Sequence, residues 1–199
     1  MQIGPYNSQE MVLCSADAGP GSQRNYPEQA KDFFPGAKWV GALRNAADNL
    51  SCDFLILTTQ HGLVEPHQII TPYDMHIHDY RQEVTEKWHE TIPLIIRGSR
   101  YRLMIFYSGG CPRDEMIEIM WPILNENRVA LLTFGRPNMF DIGKVDKIWR
   151  LLMKGTTEEE IKSILKKPER FKLYTVDDLA TKDETGDMDY IDLEDILDA

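Results

Sequence analysis

Three short segments of this chain place polar or glycine-rich residues immediately after an apolar run, and each carries side chains suited to chemistry. Cys14-Ser15-Ala16-Asp17 follows Met11-Val12-Leu13, Gln60-His61-Gly62-Leu63 follows Asp53 to Thr59, and Ser108-Gly109-Gly110-Cys111 follows Arg102 to Tyr107. A thiol becomes a nucleophile where its surroundings stabilise the thiolate, so Cys14 is a candidate nucleophile with His61 as the base that approaches in space. The alternative for Cys14 is a buried packing residue, the commoner use of a free cysteine. Ser108, Gly109 and Gly110 stand just before a helix, where glycines admit close approach and backbone N–H groups favour an anion. The alternative there is a tight strand-to-helix turn. The stretch His61 to Asp74 is restrained by Gly62, Pro66 and Pro72, which fits a firm loop. In it His61 or Glu65 can exchange protons, and Tyr73 can stack on a flat ring or donate a hydrogen bond. The same stretch also serves as a plain rigid connection.

These readings assign Cys14, His61 and Asp74 to catalysis. Ser15, Asp17, Gln60, Gly62, Tyr73, Ser108, Gly109 and Gly110 are assigned to ligand binding. All five histidines lie between His61 and His89, which raises a metal set of His76, His78 and Asp74. Their spacing matches no standard zinc signature, so neither a metal nor any other cofactor is assigned.

The elements that must position these groups alternate in type. Met11 to Ser15, Asp53 to Thr59, Arg102 to Tyr107 and Arg128 to Phe134 read as buried strands. Helical spacing appears at Trp39, Leu43, Ala46, Ala47 and Leu50. It recurs at Tyr80, Val84, Trp88 and Ile92, from Met116 to Leu124, and at Ile142, Val145, Trp149 and Leu152. Pro93 is placed to kink the second of these helices. Strands apolar on both faces and alternating with helices predict an α/β three-layer sandwich, with a mostly parallel central sheet of about four strands and helices on both faces. In such sheets ligands bind beyond the carboxyl ends of the strands, which is where the three polar segments fall.

Residues 1–155 form the expected core domain and 156–175 an appended helix, opened by a capping box at Thr156 and Glu159. Residues 176–199 read as an acidic, flexible tail. The chain has 199 residues and a formal net charge of −10. Ten acidic residues against Lys182 place −9 of that charge from Val176 to Ala199, so the preceding 175 residues carry only −1. Acidity of the whole chain therefore excludes nucleic acid less firmly than the pI suggests, although no strong basic stripe stands out. The longest apolar runs are too short to span a membrane, and three cysteines without paired spacing predict a reducing, cytoplasmic setting.

Leu57 to Asp74 resembles the signature of YaaA-type peroxide-stress proteins and their relatives, an apolar strand followed by Gly-Leu/Val, Pro, an apolar pair and Pro-Tyr. Leu13-Cys14-Ser15-Ala16 looks like the strand end of the archaeosine synthase core domain, whose members act on a 7-deazaguanine base in tRNA. The resemblance implies a uracil-DNA-glycosylase-like α/β fold and a strand-end pocket for a base-like ligand. The expectation is a protein that handles a nucleobase or nucleoside, as an enzyme modifying or transferring a deazaguanine-like purine, with a nucleotide phosphate held at Ser108 to Gly110. The alternative is a non-catalytic DNA-binding or stress-response protein whose acidic tail competes with nucleic acid for the body.

Overall fold

The computed structural model describes residues 2–109, 113–135 and 140–176. In chain order its strands are β1 (Gln2–Ile3), β2 (Met11–Ala16), β3 (Glu28–Gln29), β4 (Phe54–Thr58), β5 (Gly62–Val64), β6 (Ile69–Ile70), β7 (Leu103–Tyr107), β8 (Ala130–Thr133), β9 (Thr156–Thr157) and β10 (Lys172–Tyr174). Its α-helices are α1 (Ala30–Phe33), α2 (Lys38–Leu50), α3 (Arg81–Arg97), α4 (Arg113–Glu126), α5 (Val145–Lys154) and α6 (Glu158–Ile164).

The main sheet has six strands in the order β10-β8-β7-β2-β4-β5. β8, β7, β2 and β4 pair in parallel, whereas β5 and β10 run antiparallel at the two edges. The fold is thus α/β, and the expected mostly parallel sheet of about four strands is corrected to a mixed sheet of six. The edge strands are three residues each, too short to imprint a period of two on the sequence. β5 lies inside the stretch read as a loop. β10 lies in the segment read as an appended helix, which therefore also completes the sheet.

Residues alternate between two cores, as the pleat of a strand requires. Met11, Leu13, Phe54, Ile56, Leu103, Ile105 and Leu132 join the core that holds Val40, Leu43 and Ala47 of α2, Ile148 and Trp149 of α5 and Ile161 of α6. Val12, Cys14, Leu55, Leu57, Met104, Phe106 and Leu131 join the core of Trp88 and Ile92 on α3 and Met120 and Leu124 on α4. Full burial of each large side chain contributes about 1.5–3 kcal/mol, so these two cores dominate the stability.

Local signals fix the ends. α2 stops at Ser51, whose backbone is left-handed (φ 51°) and whose N–H donates to the Ala47 and Asp48 carbonyls. α6 opens on a capping box between Thr157 and Glu160, one residue later than the sequence suggests. α3 continues through Pro93 as a single helix. Between β4 and β5, Gly62 adopts φ 70°, and a Cβ there would meet the Thr91 hydroxyl on α3 at 1.8 Å. Only glycine lets this turn lie against the helix. The Trp88 indole N–H donates to the Thr58 carbonyl at 2.9 Å and ties α3 to the end of β4.

The crossover from β2 to β4 uses α2 on one face. The crossover from β7 to β8 uses α4 on the other. Connections that leave adjacent strands on opposite faces open a crevice at their carboxyl ends, here between β2 and β7.

Candidate functional site

A cavity of about 280 Å³ opens at this carboxyl edge. Asp17 and Gly19 bound it from the end of β2, Thr59 from the end of β4, Trp39 from α2, His76 and His78 from the loop before α3, and Met116 from α4. Among the described residues Asp17 is its one carboxylate, and it is 2% exposed. The Thr59 backbone N–H donates to Asp17 Oδ2 at 3.1 Å, and the Tyr73 hydroxyl donates to the same oxygen at 2.5 Å. The Gly19 N–H donates to Oδ1 at 3.3 Å. Two backbone donors and a phenol hold the carboxylate in one orientation, and a buried carboxylate needs such partners.

Tyr73 is itself held from behind. The Gln23 side-chain amide donates to the Tyr73 carbonyl and accepts from the Tyr73 N–H, clasping one residue from both sides. The Phe33 ring stacks on Tyr73 at a centroid distance of 6.4 Å. Thr59 donates its hydroxyl to the Met75 carbonyl at 2.8 Å, which fixes the loop that carries Met75 to His78. Trp39 donates its indole N–H to the Ala16 carbonyl at 3.1 Å. Its ring lies so close to Gly109 (φ 58°) that an added Cβ there would sit 2.2 Å from the indole. Gly109 thus serves packing of the aromatic wall. The close approach expected of this glycine is to Trp39.

Among the residues singled out by the sequence, Asp17 lines the cavity and Tyr73 meets it from behind. His61 stands behind them: its ring meets Tyr73 edge-on at 5.5 Å, and its Nε2 lies 2.9 Å from the Thr71 carbonyl. A carbonyl only accepts, so that nitrogen carries the hydrogen. His61 is a buttress of the Tyr73 loop and does not line the cavity. Gln60 and Asp74 are exposed, and Gly62 packs on α3, so the structure gives these three no place in the site. Ser15 and Ser108 are 0% and 1% exposed, with hydroxyls that make no hydrogen bond among the described residues. Gly110 lies outside the described residues.

Cys14 corrects the sequence reading most clearly. It is wholly enclosed in the core between the sheet and helices α3 and α4. Burial pushes its thiol far up from the ordinary value, opposite to what a thiolate nucleophile requires. His61 belongs to the Tyr73 side, so no Cys14–His61 pair forms. The catalytic assignment of Cys14 is replaced by a packing role.

Trp39, Thr59, Gln23 and Met116 contribute to the site without having been marked. Trp39 sits on a helical face that already read as core, and Thr59 acts through its backbone N–H, which no side-chain pattern reveals. Gln23 falls in a Gly/Pro/Ser/Asn-rich loop where position is set only in three dimensions. His76 and His78 reach the cavity rim. His78 Nδ1 lies 2.8 Å from Glu115 of α4. Among the described residues no group of three His, Cys, Asp or Glu side chains is placed to hold a metal ion. No helix among them is long and apolar enough to cross a membrane.

Residues 14–128 match the family of unknown function DUF6884. The chain belongs to this family. The matched segment contains every residue that lines the cavity, from Asp17 to Met116, as well as Gln23 and Tyr73 behind it. Residues 140–176, including α5, α6 and β10, lie beyond it. No curated protein sequence and no solved structure shows a significant match.

Proposed function

We propose that the chain binds a nucleobase or nucleoside in the cavity at the ends of β2 and β4. The observation that carries this reading is the buried, pre-oriented Asp17 carboxylate beside the fixed indole of Trp39. An ionised carboxylate only accepts hydrogen bonds, so it selects a ligand edge that presents N–H donors. A guanine-type ring presents an imino and an amino N–H side by side, so either can donate to Asp17 Oδ1, which takes the longer Gly19 bond, while Oδ2 accepts from Thr59 and Tyr73. Adenine places a lone-pair nitrogen beside its amino group, which the carboxylate repels. A 7-deazaguanine keeps the same donor edge, because the altered atom lies in the other ring. Trp39 supplies the flat face, and stacking of a base on an aromatic side chain contributes about 1–3 kcal/mol. A volume of 280 Å³ holds one heterocycle, leaving the ribose toward the exposed His76 and His78 at the mouth.

The experiment is titration of guanine, guanosine, 7-deazaguanine, adenosine and uridine, followed by thermal unfolding and calorimetry. Guanine-type ligands are expected to raise the unfolding temperature in proportion to the logarithm of their concentration, and adenosine to do so much less. Absence of stabilisation by every ligand at millimolar concentration would remove the reading.

A further inference from the structure

The connection after β8 and the segment before β10 meet on the same carboxyl edge of the sheet. Asp141 accepts the Lys166 N–H at 2.7 Å and the Lys167 N–H at 3.0 Å, which joins the two segments. The Lys144 N–H donates to the Asp141 carbonyl at 2.8 Å, and the Lys167 ammonium lies 5.7 Å from the centre of the Phe140 ring. The Arg170 N–H donates to the Lys167 carbonyl at 3.0 Å. Lys172 pairs in register with Thr133, the last residue of β8. Lys144, Lys166, Lys167 and Arg170 are thereby brought to one end of the sheet, exposed or half-buried, and Lys172 lies at the start of β10 beside them. None of the five forms an ion pair among the described residues. Asp141 and Glu169 are the acidic residues of these two segments, and Asp141 is already committed to backbone donors. A concentration of positive charge in a body whose net charge is only −1 is a local design, not a consequence of composition.

We infer that this surface binds the phosphates of a single-stranded nucleic acid, one of whose bases occupies the cavity. The inference rests on the reading of the cavity as a base site. Two to three strand spacings of about 4.8 Å separate β2 and β4 from β8, so the cavity and the cations stand roughly 10–14 Å apart along one edge. At about 3.4 Å per nucleotide of a stacked strand, some three to four nucleotides bridge that distance. The base that enters the cavity offers its pairing edge to Asp17, so it must be unpaired, and that favours a single strand over a duplex.

The test uses the full chain with fluorescein-labelled ten-nucleotide single strands containing one guanine, followed by anisotropy between 20 and 200 mM salt. Binding is expected with a slope of log affinity against log salt of about −2 to −3.5, the value for three to five neutralised phosphates on a single strand. The variant Lys166→Glu/Lys167→Glu/Arg170→Glu should lose most of this binding while keeping wild-type affinity for guanosine. A second variant, Lys144→Glu/Lys172→Glu, should do the same if the first is poorly folded. The Asp17→Asn variant should lose guanosine binding yet retain the salt-dependent slope. Guanosine binding without any salt-dependent oligonucleotide binding overturns this inference and leaves the cavity reading intact. Oligonucleotide affinity unchanged in both charge-reversal variants also overturns it. That second result is what occupation of the surface by the chain's own acid-rich residues 177–199 would give. Oligonucleotide binding without guanosine binding would instead strike the cavity reading.

Discussion

The two edges of the central sheet differ in what they do with space and charge. At the amino edge two connected grooves of about 540 and 730 Å³ share Cys52, Asp53, Glu65 and Tyr101. They are larger than the carboxyl-edge cavity, yet their polar groups face solvent or one another. Arg44 pairs with Asp32 at 2.9 Å with both side chains about a third to a half exposed, and Tyr101 donates to the exposed Asp53 at 2.8 Å. Surface pairs of this kind contribute little. At the carboxyl edge a smaller cavity holds a single carboxylate that is buried, oriented by backbone N–H groups and backed by an immobilised indole. Volume does not locate the working site. A polar group brought into the interior and fixed before any ligand arrives does, because ligand then meets a group whose ordering and desolvation have already been offset by folding.

The carboxyl edge is most sensitive to change at Gly109. Alanine there must adopt a left-handed backbone and push on the Trp39 ring. Gly109→Ala is therefore expected to destabilise the fold by about 2–5 kcal/mol, from backbone strain and overpacking together. Urea denaturation measures this, and nucleoside binding should fall with it. A variant as stable as the wild type would mean that the indole is not held as described.

The next largest effect is expected at Asp17. Asp17→Asn replaces one acceptor oxygen with a donor and should weaken guanosine binding about 10- to 100-fold, the value of a hydrogen bond to a charged group at about 1.5–3 kcal/mol. Calorimetry reads the change. Asp53→Asn or Glu65→Gln at the amino edge should leave guanosine affinity unchanged, and an equal loss at both edges would erase the distinction between them.

A third effect sharpens the account of the amino edge. Burial, followed by the charges of Asp53, Asp146 and Asp48, pushes the Cys52 thiol up to about 12. Its folded value thus exceeds its unfolded value. The stability linked to Cys52 is complete below the unfolded value near 9 and is lost as pH rises toward 12. Alkylation of the folded chain by iodoacetamide should be slow at pH 8 and accelerate about tenfold per pH unit above it. Cys14 should stay unlabelled until the chain unfolds. Rapid modification of Cys14 at neutral pH would reopen its catalytic assignment.

Much of this architecture is legible in the amino-acid sequence alone. β2, β4, β7 and β8 show as runs of apolar residues, and α2, α3 and α5 show as recurrences at three and four positions, because both patterns are written by burial. The strand-end rule also directs attention to Asp17 and to the stretch holding Tyr73. What the sequence conceals is orientation. Cys14 and Asp17 stand three residues apart in the same strand end, yet one is sealed in a core and the other lines a cavity. The parity of the pleat relative to the two helical layers decides this, and residue type does not. The three-residue edge strands leave no periodic trace. The donors that fix Asp17 include backbone groups, which are the same for every residue.

The smallest effect is expected at Tyr101. Tyr101→Phe removes its hydrogen bond to the exposed Asp53 and should cost about 0.5–1 kcal/mol or less in stability, with no change in ligand affinity.

The claim on which the account depends is that a donor-bearing heterocycle seats against Asp17 at the carboxyl edge. A crystal of the chain soaked with guanosine tests it directly. The account predicts density for the base against the Trp39 indole, with ring nitrogens within about 2.7–3.2 Å of the Asp17 carboxylate. Guanosine bound instead in the amino-edge groove beside Asp53 and Glu65, with the Asp17 cavity empty, would contradict it.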